Sequence, residues 1–192
     1  MTRYCVFCGS SSGASDIYRT AALELGKAMV ERDIDLVYGG ASIGLMGDIA
    51  DAVLAAGGKA YGVIPQHLEQ NEIAHDGLTE LLVVDNMHER KAAMADMSSG
   101  FIALPGGIGT LEELIEICTW QQLGLHTKPT GLLNVNQFYD QLMAFLDHTV
   151  TEKFLHPQHR ANLLSTADAG ELLDQMNASA ASPDIFKIEK TS

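Results

Sequence analysis

Three times before residue 120 the chain repeats one unit: a short apolar run, a glycine-bearing loop, then a stretch with helical period. The runs are residues 4–7, 34–38 and 101–104, with glycine loops at Gly9, Gly39 and Gly106 and helical stretches at 16–31, 45–56 and 110–123. Apolar runs this brief bury both faces only in a parallel sheet covered by helices on each side, joined by right-handed crossovers. The pattern continues with expected strands at 59–64, 80–84, 130–134 and 163–164, and expected helices at 86–97, 138–149 and 168–176. Residues 66–77 are polar and aperiodic and read as a loop over the strand ends. The expected fold class is therefore α/β, a Rossmann-like parallel sheet in one domain over residues 1–177, with a loose tail at 178–192. The three glycine loops should share the carboxyl edge of the sheet, where such folds bind ligands.

The third unit, Phe101-Ile-Ala-Leu-Pro-Gly-Gly-Ile-Gly-Thr-Leu-Glu-Glu-Leu-Ile-Glu116, carries the most chemistry. Its glycines Gly106, Gly107 and Gly109 let backbone approach a ligand, and the first amides of the following helix suit a phosphate. Thr110 and Glu113 have the spacing of a capping box. Leu111, Leu114, Ile115 and Cys118 fall on one stripe and are expected to be core; Glu113, Glu116 and Trp120 fall nearly opposite. Glu113 then either serves the helix start or faces a pocket, and Trp120 lines that pocket or meets a partner chain.

Charge narrows the ligand. A net charge of −13 disfavours nucleic acid and anionic membranes as partners, so a phosphorylated ligand must be held by local positive features. Arg90 and Lys91, in the first turns of a helix that Asn86 and Glu89 can box, would supply them; the bland alternative is a solvated pair. Met87, in the same segment, can pack on a ligand ring, while Met94 and Met97 are expected in the core. Ser10 and Gly40 are candidate binding positions in the first two loops.

Several chemistries find no support. No GxGxxG, Walker loop or GxSxG is present. The seven histidines lack ligand spacing, so no metal is expected, and no cofactor is called for. Cys5 and Cys8 form a CxxC inside a strand, which reads as core; three cysteines and no apolar leader lead us to expect a cytoplasmic protein.

Taken together, Cys8-Gly-Ser-Ser with Tyr18, Val37-Tyr-Gly-Gly with Gly44-Leu-Met-Gly47, Gly62-Val-Ile-Pro65, Met87-His-Glu-Arg-Lys91, Leu104-Pro-Gly-Gly-Ile-Gly-Thr-Leu-Glu-Glu113 and Thr119-Trp-Gln-Gln-Leu-Gly124 resemble the Lonely Guy family of cytokinin-activating phosphoribohydrolases. The resemblance implies hydrolysis of the N-glycosidic bond of an adenosine 5′-monophosphate, often N6-prenylated, to the free base and ribose 5-phosphate, by dimers or larger assemblies. By motif match it makes Arg90 and Glu113 the catalytic pair and Gly106 to Thr110 the phosphate loop. It also puts Lys91, Glu72, Glu116 and Thr119 in or near the substrate site. Two positions depart from the family pattern: Ile108 stands where an aromatic is frequent, and Ala41 where a third glycine is common. A nucleotide carrier or sensor on the same fold is the alternative from another functional class; an acid on the pocket face counts against it.

Overall fold

The computed structural model describes residues 2–69 and 74–180. Among them, β1 (Thr2–Phe7), β2 (Ile34–Tyr38), β3 (Ala60–Pro65), β4 (Glu80–Val84), β5 (Gly100–Ala103), β6 (Thr130–Leu133) and β7 (Leu163–Thr166) form one sheet in the order β4-β3-β2-β1-β5-β6-β7. Every neighbouring pair is parallel. The helices are α1 (Asp16–Val30), α2 (Gly44–Ala55), α3 (Gln66–Glu69), α4 (Met87–Met97), α5 (Ile108–Gln122), α6 (Asp140–Thr151), α7 (Pro157–Ala161) and α8 (Ala169–Ala180). The chain winds outward from β1 to β4, then returns to lay β5 on the other flank of β1, with Phe7 beside Ala103. That reversal opens a crevice at the carboxyl ends of β1 and β5.

Alternation along β1 divides the core. Tyr4 and Val6 face Leu25 and Met29 of α1, Ile49 and Val53 of α2, and Leu172 and Met176 of α8. Cys5 and Phe7 face the other way, toward Met94 of α4 and Ile117 of α5. A third cluster joins Ala103 and Leu132 to Leu114 of α5 and the buried Tyr139. Both faces of the sheet are thus covered, as strands without a polar face require. Cys5 and Cys8 are buried free thiols, in keeping with their core reading.

The two side-chain caps expected of α1 and α4 form. Ser15 accepts from the Ile17 amide, and Asn86 and Glu89 bond reciprocally, with Glu89 N–H to Asn86 Oδ1 at 3.0 Å and Asn86 Nδ2 to Glu89 Oε1 at 3.0 Å. The expected cap of α5 does not. Gly107 occupies the N-cap position, and Thr110 lies inside the helix, buried beneath the preceding loop. The core face of α5 also differs from the expected stripe. Leu114 and Ile117 are its buried apolar residues, Leu111 and Cys118 pack at the edge of the third cluster, and Ile115 is 42% exposed. The helix touches two clusters at once, so its buried arc is wider than a single stripe and turned toward Ile117 and Trp120. Trp120 itself packs partly buried against the Met94 cluster.

Smaller differences have local causes. The expected loop at 66–77 opens with the short helix α3, and α7 forms where no period was legible, because five residues begun by a proline are too short to show one. α6 starts at Asp140 because Asn136 and Gln137 hold positive φ angles of 50° and 61°. α8 runs past Met176 to Ala180; residues 181–192, most of the expected tail, lie outside the described residues. No helix among the described residues is long and apolar enough to cross a membrane.

Candidate active site

The crevice is walled by the glycine loops after β1 and β5, while the loop after β2 stands behind it and holds Arg90 through the Gly39 carbonyl. The Gly9 amide donates to the Pro105 carbonyl at 3.2 Å, tying the loop after β1 to the loop after β5. A Cβ at Gly106 would overlap the Thr110 side chain and stand 2.9 Å from the Gly9 nitrogen. Only glycine allows that approach.

α5 opens onto this crevice with no side-chain cap and no acid in its first turn. Its first amide with a protein partner among the described residues is Leu111, which donates to Gly107 at 3.2 Å. The amides of Ile108, Gly109 and Thr110 are therefore free to bind an anion, reinforced by roughly half a positive charge from the helix dipole. A Cβ placed on Gly107 or Gly109 would meet nothing within 4 Å. Internal packing thus gives no reason for glycine at either position.

Arg90 reaches the crevice from the first turn of α4 and is 7% exposed. Its Nε donates to Val63 O at 3.1 Å and its Nη2 to Gly39 O at 3.1 Å, so two strand-end carbonyls hold the guanidinium without neutralising it. Among the described residues, Nη1 has only the Met87 sulfur, at 3.7 Å. A Cβ on Gly39 would overlap this guanidinium, which explains the glycine there. Arg90, Glu113, Met87 and Ser10 line one cavity of about 390 Å³ together with Gly107, Gly109 and Thr110.

Glu113 lies in the second turn of α5 and makes no hydrogen bond or ion pair among the described residues. Burial pushes its carboxyl up to about 7; the Arg90 charge lowers it, Glu112 raises it, Lys91 lowers it and Glu116 raises it. A carboxyl near 7 can exchange a proton at neutral pH and still carry charge, which suits acid–base work. Cys8, also on the wall, is different: burial pushes its thiol up, so it stays protonated and unreactive.

The remaining candidates fall elsewhere. Gly106 lines an adjoining hollow of about 270 Å³ with Tyr18 and Phe138, which shares Gly9, Ser10 and Gly107 with the main cavity. Gly40, with φ of 81°, is buried behind the loop, and its carbonyl accepts the His75 amide at 3.0 Å. Lys91 turns to Glu112 at 2.6 Å and Glu116 at 3.0 Å rather than into the cavity. Thr119 is exposed, donates to Ile115 O at 2.7 Å and borders a groove with Leu146 and Leu163. Glu72 lies outside the described residues. Sequence reasoning missed Cys8, Met46, Leu68 and Glu112 as wall residues. Cys8 and Met46 stand within recognisable motifs and Glu112 beside the catalytic candidate, whereas nothing local marks Leu68.

Fold and crevice define a class: a doubly wound α/β protein with an uncapped helix start beside a buried arginine and a titratable acid. Within that class, the family model described as "Possible lysine decarboxylase" matches residues 46–176. A probable cytokinin riboside 5'-monophosphate phosphoribohydrolase of Oryza sativa subsp. japonica is 53% identical over 174 residues, covering 91% of this chain and 77% of its own length. A cytokinin riboside 5'-monophosphate phosphoribohydrolase of Arabidopsis thaliana is 50% identical over 184 residues, 96% of this chain and 86% of that one. The chain belongs to the Lonely Guy family that these enzymes represent. Among solved structures, the molybdenum cofactor carrier protein of Chlamydomonas reinhardtii superposes with a TM-score of 0.71 at 20% identity, covering 94% of this chain and 98% of its own. The molybdenum cofactor binding protein of Rippkaea orientalis gives 0.71 at 20% identity, with 92% and 96% covered. At that identity the likeness is one of fold.

Proposed function

We propose that the chain hydrolyses the N-glycosidic bond of an adenosine 5′-monophosphate, either N6-substituted or plain AMP, releasing the free base and ribose 5-phosphate. The observation that carries this reading is the single cavity in which Glu113, titrating near 7, faces the free amides of α5 and the half-liganded guanidinium of Arg90. Relatives at 50–53% identity bear the name of that activity.

The chemistry follows from the parts. The phosphate sits on the amides of residues 108–110, and the open space at Gly107 and Gly109 admits it without a side chain in the way. The purine departs with the electron pair of the broken C–N bond, and the positive charge left on the ribose is stabilised by the Glu113 carboxylate, which takes a proton from the attacking water; loss of one proton from Glu113 to solvent and gain of one by the purine anion return the carboxylate and complete the free base. Arg90 offers Nη1 to the substrate's oxygens while its other nitrogens keep it fixed to β2 and β3. Arg90 and Glu113 are the catalytic pair in this reading. Among the described residues the cavity wall carries no lysine that could form an imine with a substrate or cofactor.

The chain also functions, in this proposal, as a cytoplasmic homodimer. Three free cysteines fit a reducing compartment. Ile108 at 87%, Leu123 at 67% and Leu125 at 69% exposed leave apolar surface along α5 and its exit for a second copy. Light scattering at micromolar concentration reads the dimer, and a monomer removes that part. For the activity, purified protein is incubated with AMP and with isopentenyladenosine 5′-monophosphate, and free base is measured by chromatography. Release from either is expected; release from neither overturns the reading.

A further inference from the structure

The catalytic pair lies on two different helices, Arg90 on α4 and Glu113 on α5, and no direct bond joins the two side chains. Arg90 is pinned to the sheet by Val63 and Gly39, so its position is set by β2 and β3. Glu113 has no such anchor among the described residues. Its position depends on where α5 sits relative to α4, and the uncapped start of α5 supplies no side-chain restraint.

One polar link crosses the gap beside the reacting groups. Lys91, the residue after Arg90, donates to Glu112 at 2.6 Å and to Glu116 at 3.0 Å, the residue before Glu113 and the residue one turn after Glu112. Its side chain is only 11% exposed, against 49% for Glu112 and 25% for Glu116. Burial works against this charge, yet the hydrogen bonds to Glu112 and Glu116 more than offset it and hold the ammonium above its ordinary pKa. The two carboxylates are four residues apart on one face of α5, so a single cation grips a full helical turn. Glu113 lies within that turn.

We propose that Lys91 is a positioning residue: by bridging Glu112 and Glu116 it clamps the second turn of α5 to α4 and fixes the Glu113 carboxyl relative to Arg90. This rests on the phosphoribohydrolase reading for its kinetic consequences and on the geometry alone for its structural one. A misplacement of about 1 Å in a reacting group costs up to ~100-fold in rate, so a loosened clamp acts on kcat.

The clamp can be broken from either side with opposite electrostatic effects. Lys91→Met removes a cation near Glu113, and the double variant Glu112→Gln/Glu116→Gln removes two anions. The charged groups facing Glu113 are Arg90 and Lys91 from α4 and Glu112 and Glu116 from α5. The Glu113 carboxyl, followed by carbon NMR with Glu113→Gln as the assignment control, therefore titrates higher in the first variant and lower in the second. Positioning predicts that kcat nevertheless falls about tenfold or more in both, with KM within about twofold of wild type, and that Lys91→Arg recovers most of the loss. Amide hydrogen exchange across α5 should quicken in both clamp-breaking variants whether or not the protein turns over. If the wild type releases no base, the functional reading fails, and the exchange data alone judge the clamp. A rise in KM with kcat unchanged would make Lys91 a phosphate contact instead. Rates that move in opposite directions with the Glu113 titration would reduce its role to electrostatics, and unchanged α5 exchange would overturn the clamp outright.

Discussion

Replacing Glu113 with glutamine should make the protein more stable and less active at once. A carboxyl that titrates at about 7 instead of 4.5 destabilises the ionised native state by on the order of 3 kcal/mol, since each pH unit is worth ~1.4 kcal/mol. The sign follows from proton counting. Between pH 4.5 and about 7 the folded chain keeps a proton that the unfolded chain has released, so stability declines as pH rises through that window. The full penalty is present above it and absent below it. Glutamine carries no charge at any of these pH values, so Glu113→Gln relieves the penalty only at the upper end. For a domain of this size the gain at pH 8 corresponds to a melting-temperature rise on the order of 5–10 °C, shrinking to near zero by pH 4.5. Thermal melts of wild type and variant across pH 4.5–8, read by circular dichroism, measure the difference curve directly. The same variant should bind AMP and lose most base release, a trade of activity for stability common where a buried charge serves chemistry. A variant that melts at or below wild type at pH 8, or a stability difference independent of pH, would refute the claim that burial dominates the Glu113 environment.

Three further outcomes follow from the same geometry. In the proposed reaction Glu113 works as the carboxylate, so kcat/KM should rise as pH passes through about 7 and level off above; a profile falling with pH would recast Glu113 as a proton donor. Gly107→Ala should leave the unfolding free energy within about 0.5 kcal/mol of wild type, because its Cβ meets nothing within 4 Å, while weakening AMP binding about tenfold or more by calorimetry. Unchanged affinity would move the phosphate off this loop. Gly39→Ala should displace the Arg90 guanidinium from its carbonyl anchors, costing about 1–3 kcal/mol in urea unfolding and most of the turnover; retention of wild-type activity would show that Arg90 works without that anchor.

Much of the architecture was legible because it rests on local pattern. Short apolar runs, each followed by glycines and a helical period, dictate a parallel sheet with ligand loops on one edge, and the seven-stranded order bears that out. The Asn86–Glu89 box was legible for the same reason, since both partners lie within one helical turn. The start of α5 was not. Thr110 and Glu113 have capping-box spacing, but the close approach of Gly106 to Gly9 draws Thr110 inward and leaves Gly107 at the cap. That approach joins residues nearly a hundred positions apart, which no local window contains.

The site divides in the same way. Sequence alone determined the family, the presence of Arg90, Glu113 and the glycine loop, and the edge of the sheet on which they should meet, because residue identity and period fix these. Only the tertiary structure decided what each does with its charge. Arg90 bonds the backbone carbonyls of Val63 in β3 and of Gly39 just after β2, Lys91 spends its charge on two acids of the neighbouring helix, and Trp120 packs partly buried against the Met94 cluster. The elevated pKa of Glu113 is likewise a property of the water excluded around it. Partners and burial come from chain segments far apart in sequence, and they are set only when the sheet and its helices close around them.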